Sequence, residues 1–282
     1  MKPIFAHLIL ALLILTGCVA HVSESALVRA TIGVRLADGN SSDGRWHVRS
    51  FDIPRPNSVT LYTALFTRPN STALVLYFGG NGFVISGHHQ NVLDAYKNQP
   101  VDILMVDHRG YGGSTGMALI KDLMEDAIPV YDYARGLVDY QDKPVIVHGQ
   151  SLGSFMAGEV AKERSLDALV LESSATTAED WIQGFVDNSV FVRRGVVQGN
   201  LKGMGNLEVM ATLDEPVLFV VGEKDATARS EMSIKLFSAA NIPADQKELL
   251  IVSNAGHNNA SRSDVYSEAF TRLLALVRQK GV

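Results

Sequence analysis

Six short apolar runs recur along the chain without polar alternation: Leu74–Phe78, Ile103–Val106, Val145–Val147, Ala168–Leu171, Val217–Val221 and Leu249–Val252. A strand with one wet face alternates apolar and polar residues. Unbroken Val, Leu and Ile therefore mark strands covered on both faces, as in a parallel sheet. Helical stretches follow several of them, at Ala118–Gly136, Leu152–Lys162, Arg229–Ala240 and Ser263–Gln279. This order predicts a doubly wound α/β sheet with right-handed crossovers and its chemistry at the carboxyl ends of the strands. Two β-rich runs, Trp46–Phe51 and Val59–Phe66, come earlier and are expected as an antiparallel edge pair. No linker and no repeat divides residues 46–282, which read as one domain.

Composition removes whole classes of function. With 46% hydrophobic and 20% charged residues among 282, the chain has ample apolar content for a core and is not disordered. A net charge of −5, a pI near 5.9 and no Lys/Arg stripe argue against a nucleic-acid binder. No apolar run reaches the roughly 18 residues of a membrane-spanning helix, which excludes a polytopic transporter.

The first residues read as an export signal. Lys2 supplies a positive start, and Ile4–Leu15 is apolar apart from His7, about the length of a signal-peptide core. Leu15-Thr16-Gly17-Cys18 then resembles the lipobox of bacterial lipoproteins. That resemblance implies residues 1–17 as signal peptide and Cys18 as the acylated first residue of the mature chain. A plain secretory signal with an incidental cysteine is the alternative. Cys18 is the single cysteine, so it forms no internal disulfide and leaves no thiolates for a metal site. Val19 after it, rather than Asp, implies the outer membrane of a two-membrane cell, with the bilayer held through acylated Cys18. Residues 18–45 are expected to be a tether.

Polar, Gly-rich clusters follow the strands: Gly79-Gly80-Asn81-Gly82, Asp107 to Gly112, His148 to Gly153, Gly222 to Asp225 and Ser253 to His257. All fall on one edge of the expected sheet. The pattern G-x-S-x-G is weak alone and occurs twice, around Ser114 and around Ser151. A nucleophile elbow needs a strand running into the serine and a helix leaving it, with Gly149 and Gly153 small enough to allow the turn. Ser151 has both. Ser114 lies about seven residues beyond its strand and is expected to cap the following helix.

A serine hydroxyl needs a base, and the base an orienting acid; in the hydrolase order both follow the serine. His257 is the one histidine after Ser151 and stands just past the last strand. Asp225 follows the preceding strand and is the expected acid, with Glu172 in reserve; Asp214 lies at the wrong strand end. The oxyanion hole is expected from the Leu152 N–H at a helix start and from the glycine loop, with Asn81 as second donor.

Taken together, Tyr77 to Gly82, Asp107 to Ser114, Gly149 to Gly153, Gly222 to Asp225 and Ala255-Gly256-His257 make residues 46–280 resemble the α/β-hydrolase superfamily. Asp107 to Gly112 is similar to the D-x-R-G-Y-G segment of its serine esterase and aminopeptidase-like branch, where it shapes the sheet edge and is not catalytic. Where many relatives have His-Gly before the oxyanion residue, this chain has Gly79-Gly80. The resemblance implies an α/β-hydrolase fold with a short cap at about 175–213. The cap's apolar residues are expected as one or two helices that either roof an acyl pocket or fill ordinary core. No G-x-G-x-x-G follows a strand and no ligand cluster has metal spacing, so no cofactor or metal is implied. The expected activity is hydrolysis of carboxylic ester or thioester bonds by Ser151, His257 and Asp225. A serine peptidase of the same fold is the nearest alternative. An inactive envelope-binding module is the alternative from another class.

Overall fold

The computed structural model describes residues 15–16, 19–24, 28–41, 43–187 and 194–280. Three short strands come first: β1 (Leu15–Thr16), β2 (Val19–Val22) and β3 (Gly39–Asn40). The long pair β4 (His47–Arg55) and β5 (Val59–Thr67) follows. Then strand and helix alternate: β6 (Ala73–Phe78), α1 (Ile85–Ala95), β7 (Val101–Val106), α2 (Ile120–Gly136), β8 (Val145–Gln150), α3 (Gly153–Glu163) and β9 (Ala168–Glu172). A variable stretch holds α4 (Ala178–Val186), β10 (Arg194–Val197) and α5 (Leu207–Thr212). The chain closes with β11 (Val217–Gly222), α6 (Ser230–Ala239), β12 (Lys247–Val252) and α7 (Asp264–Lys280).

Nine strands form one sheet in the order β12-β11-β9-β8-β6-β7-β5-β4-β3. The six from β12 to β7 run parallel, and β5, β4 and β3 add antiparallel pairings at one side. All six apolar runs of the sequence are parallel strands of this sheet. Its two faces are read off β6, where every residue is buried: Leu74, Leu76 and Phe78 join the core beneath α2, α3 and α6, whereas Ala73, Val75 and Tyr77 join the core beneath α1 and α7. Burying each Val, Leu or Phe side chain of this kind contributes about 1.5–3 kcal/mol, which explains why alternation is missing from these strands.

From β6 the chain crosses to β7 on one side, then returns past β6 to β8 and continues outward through β9, β11 and β12. The winding therefore reverses between β6 and β8, paired with Phe78 opposite Gly149. A crevice opens at such a switch point.

Three features depart from the sequence reading. Helix α1 was not legible, because Ser86, Gly87, His88, His89 and Asn91 are weak helix formers and no capping side chain precedes it. Its cap comes from elsewhere: the Ile85 N–H donates to Asp107 Oδ1 at 2.7 Å. The segment expected as a tether is in contact with the body, since β2 pairs in parallel with β10 and Ile32 bridges to Gly112. The cap region thus combines helices α4 and α5 with a strand. Finally, Ser114 caps no helix; α2 starts at Ile120, its N-cap Leu119 offers no side-chain cap, and Ser114 instead donates to the Asp107 carbonyl and accepts from the Tyr62 N–H. Most of the expected signal peptide, and Cys18 itself, lie outside the described residues. Among the described residues no helix is long and apolar enough to cross a membrane.

Candidate active site

Strand β8 runs to Gln150 and α3 begins at Gly153, so Ser151 and Leu152 alone make the turn. Ser151 has φ +51°, a left-handed conformation that non-glycine residues rarely adopt and that costs of order 1–3 kcal/mol. Hydrogen bonds hold it there: its N–H donates to the Glu172 carbonyl at 2.9 Å, and its carbonyl accepts from the Ser154 N–H and hydroxyl at 3.0 and 2.6 Å. The flanking glycines serve by size. A Cβ on Gly149 would stand 2.5 Å from the Gly153 carbonyl oxygen, and one on Gly153 would stand 2.0 Å from that of Phe78.

His257 reaches Ser151 from the loop after β12, with Nε2 2.9 Å from Oγ. Its Nδ1 lies 3.0 and 2.9 Å from the two carboxylate oxygens of Asp225, which follows β11. A carboxylate accepts only, so Nδ1–H donates to Asp225 and Nε2 is left to accept the serine proton. Burial by itself would raise the Asp225 carboxyl; the hydrogen bond and charge interaction with His257 and the Ala228 N–H outweigh it and hold the carboxyl below its ordinary range. The Thr227 and Ala228 N–H groups both donate to Oδ1, at 2.8 and 2.9 Å. Asp225 is buried, whereas the His257 ring keeps some exposure. Glu172, the reserve acid, makes other bonds: Oε1 accepts from the Ser261 N–H at 3.0 Å and Oε2 lies 3.3 Å from His148 Nε2.

Leu152 is the N-cap of α3, so its N–H stands at the positive end of the helix. The loop after β6 comes equally close, since a Cβ on Gly80 would lie 3.2 Å from Ser151 Cβ. The Asn81 side chain is engaged elsewhere: its Oδ1 accepts from the Arg29 N–H at 2.8 Å and from the Tyr111 hydroxyl at 2.9 Å. The buried His108 ring braces the same loop, Nε2–H donating to the Gly79 carbonyl at 2.8 Å. The segment from Asp107 to Gly112, at the carboxyl end of β7, therefore supports the β6 loop. Its tight packing fixes Gly112 at φ +52°, where a Cβ would meet Asp107 Oδ2 at 1.9 Å.

Two residues at the site carried no signal in the sequence. Gln150 donates from Nε2 to the His257 carbonyl at 3.2 Å, and the Ser173 hydroxyl donates to the same carbonyl at 3.2 Å. Together they pin the loop that presents the imidazole. A small apolar pocket is lined by Ser151 with Leu152, Phe155, Ser173, Ala175, Trp181 and Ala228. Its free space is about 10 Å³, enough for a single water. Trp181 comes from α4 of the cap. Among the described residues no three His, Cys, Asp or Glu side chains converge as metal ligands would.

Residues 69–198 match the family model described as serine aminopeptidase S33, a span that holds the β6 loop and the elbow and ends before Asp225. An uncharacterized protein of Mycobacterium tuberculosis is 30% identical over 62% of this chain and 60% of its own. The lysophosphatidylserine lipase ABHD12 of Macaca fascicularis is 26% identical over 61% of this chain and 46% of its own. The chain thus spans about 60% of the length of the mycobacterial relative. Among solved structures, the Pyrococcus furiosus esterase Pf2001 superposes with a TM-score of 0.64 at 16% identity, covering 88% of this chain and 98% of the esterase.

Proposed function

With the α/β-hydrolase fold as premise, we propose that this chain is a serine hydrolase cleaving carboxylic ester or thioester bonds through an acyl-enzyme. The observation that carries the reading is the unbroken line Ser151 Oγ to His257 Nε2 and His257 Nδ1 to Asp225, each contact 2.9–3.0 Å. As Ser151 Oγ bonds to the acyl carbon, its proton passes to His257 Nε2 and the carbonyl π pair moves onto oxygen. Asp225 stabilises the imidazolium through Nδ1–H. The oxyanion collapses, the bond to the leaving alcohol or thiol breaks, and His257 returns the proton to that group. Water then repeats the sequence on the acyl-serine and frees the acid.

The oxyanion falls to the Leu152 and Asn81 N–H groups, each worth about 3 kcal/mol. Asn81 serves through its main chain, its side-chain oxygen being committed to Arg29 and Tyr111. The pocket is apolar and has room for little more than a methyl group, with Trp181 lining it from the cap, which supports the smallest acyl groups over long ones. The esterase neighbour and the lipase relative support ester chemistry, while the aminopeptidase name of the family model supports the peptidase as second reading. The chain is further proposed to sit on the bacterial envelope through acylated Cys18.

Fluorophosphonate labelling and a panel of nitrophenyl esters of two to sixteen carbons, with aminoacyl anilides beside them, test this. We expect label on the wild type, none on Ser151→Ala, and fastest turnover of the short esters. Ser114→Ala, whose hydroxyl bonds main-chain groups around β5 and β7, should label normally. Label abolished by Ser114→Ala but kept by Ser151→Ala would overturn the assignment, and anilides cleaved faster than esters would favour the peptidase.

A further inference from the structure

Behind the elbow runs a second line of buried polar groups that the chemistry above does not use. The Tyr266 hydroxyl donates to that of Tyr96 at 2.8 Å, which leaves the Tyr96 proton to donate to His148 Nδ1 at 2.6 Å. With Nδ1 accepting, the ring proton sits on Nε2, 3.3 Å from Glu172 Oε2, at ion-pair distance though off line for a hydrogen bond. His148, Tyr96 and Tyr266 are 0% exposed and Glu172 is 2% exposed. Burial pushes Tyr96 and Tyr266 well above the usual phenol range, so both keep their protons and remain donors. Burial also works to raise the Glu172 carboxyl, but His148 beside it and Ser261 hydrogen-bonded to it outweigh that and hold it below its ordinary range.

The two ends of Glu172 face the two halves of the candidate site. Its carbonyl accepts the Ser151 N–H at 2.9 Å, in the residue whose φ is +51°. Its Oε1 accepts the Ser261 N–H at 3.0 Å, in the 3₁₀ turn Ala260–Arg262 directly after the His257 loop. A buried carboxylate is a costly way to fill space, and an apolar side chain of equal size would often stabilise as well or better. What it supplies here is a fixed joint between two loops that are far apart in sequence.

We infer that Glu172 is a positioning residue for the Ser151–His257 pair, its main chain setting the serine and its carboxylate setting the loop that carries the imidazole. The inference rests on the serine-hydrolase reading. His148, Tyr96 and Tyr266 are the frame that keeps the carboxylate aimed. A misplacement of about 1 Å between reacting groups costs on the order of 100-fold, so a loosened joint appears in turnover before it appears in binding.

Glu172→Gln tests it. The amide oxygen can still accept from Ser261, but the amide NH₂ then faces the His148 Nε2–H, donor against donor. The side chain must turn and release Ser261, or the ring must reverse its tautomer. We expect a folded protein with kcat lowered about 10- to 100-fold, KM within about twofold, and a displaced acid limb in the pH profile of kcat/KM. Fluorophosphonate labelling should slow in parallel. Glu172→Asp, which keeps the charge but withdraws it from Ser261, should behave alike and serves if the first variant does not fold. A folded variant turning over within twofold of wild type overturns the inference, as does a loss that only follows the folded fraction or failure of both variants to fold. Wild-type protein that neither labels nor hydrolyses would instead sink the hydrolase reading and this inference with it.

Discussion

Gly153 and Phe78 meet backbone against backbone, close enough that a Cβ on the glycine would stand 2.0 Å from the phenylalanine carbonyl oxygen. The contact joins the first residue of α3 to the last residue of β6, beside the switch point between β6 and β8. It brings the start of a helix, with its outward N–H groups, alongside the glycine loop after β6. No rotamer relieves a clash with main chain, so the spacing itself demands glycine here.

Gly153→Ala should therefore separate α3 from β6. Overpacking of this kind costs about 1–3 kcal/mol or more. We expect a lower urea midpoint with an unchanged slope, together with a loss of kcat larger than the loss of stability explains, because Leu152 moves with the helix. Wild-type turnover in a destabilised Gly153→Ala protein would show that the helix start does not serve the reaction.

Asp225→Asn should keep the fold and lower kcat by about 10⁴-fold, since an amide cannot hold the imidazole with its proton on Nδ1. The same variant has a stability signature. The Asp225 carboxyl lies below its ordinary 3.8 when folded, so the unfolded chain binds more protons in the acid range. Its contribution is present above the unfolded value and is lost as pH falls through the folded one. The stability gap between wild type and Asp225→Asn should be widest near neutrality and close below about pH 4. Chemical denaturation at pH 7 and pH 3 measures it, and a gap that grows toward acid would contradict the sign.

How much of this was legible in the sequence depends on where each residue's partner lies. The parallel strands were, because burial on both faces leaves unbroken apolar runs such as Val217–Val221. Ser151, Asp225 and His257 were assigned by strand-end position and chain order, and the structure brings them within hydrogen-bond distance. Helix α1 was missed because its cap is Asp107, 22 residues downstream. The pairing of β2 with β10 joins segments some 175 residues apart, and neither carries an alternating pattern long enough to announce a strand. Gln150 and Ser173 act through main-chain contacts to His257, which leave no mark in residue type.

The anchor is tested through Cys18→Ala. An acylated cysteine carries fatty chains that each contribute about 0.8 kcal/mol per buried CH₂, and two or more chains hold firmly. We expect radiolabelled palmitate on wild type and none on the variant, which should accumulate as precursor or as a soluble form. Label retained without Cys18 would sink the lipoprotein reading.

Residues 29–31, between that anchor and β3, form a strap that touches the proposed oxyanion loop and its support, and this makes a graded expectation. Asn81 Oδ1 takes two hydrogen bonds, one from the Arg29 N–H and one from the Tyr111 hydroxyl, while the Thr31 carbonyl accepts from the Gly112 N–H at 2.7 Å. Each such bond contributes about 0.5–1.5 kcal/mol. If the strap keeps the Asn81 main chain aimed at the oxyanion, Tyr111→Phe should lower kcat about threefold and Asn81→Ala about tenfold, a tenfold change being about 1.4 kcal/mol. Both changes leave the Asn81 N–H in place, so KM should move little. Steady-state kinetics on a short ester reads the series. Asn81→Ala at wild-type turnover would mean that His108, through its 2.8 Å bond to the Gly79 carbonyl, holds the loop without help from the strap.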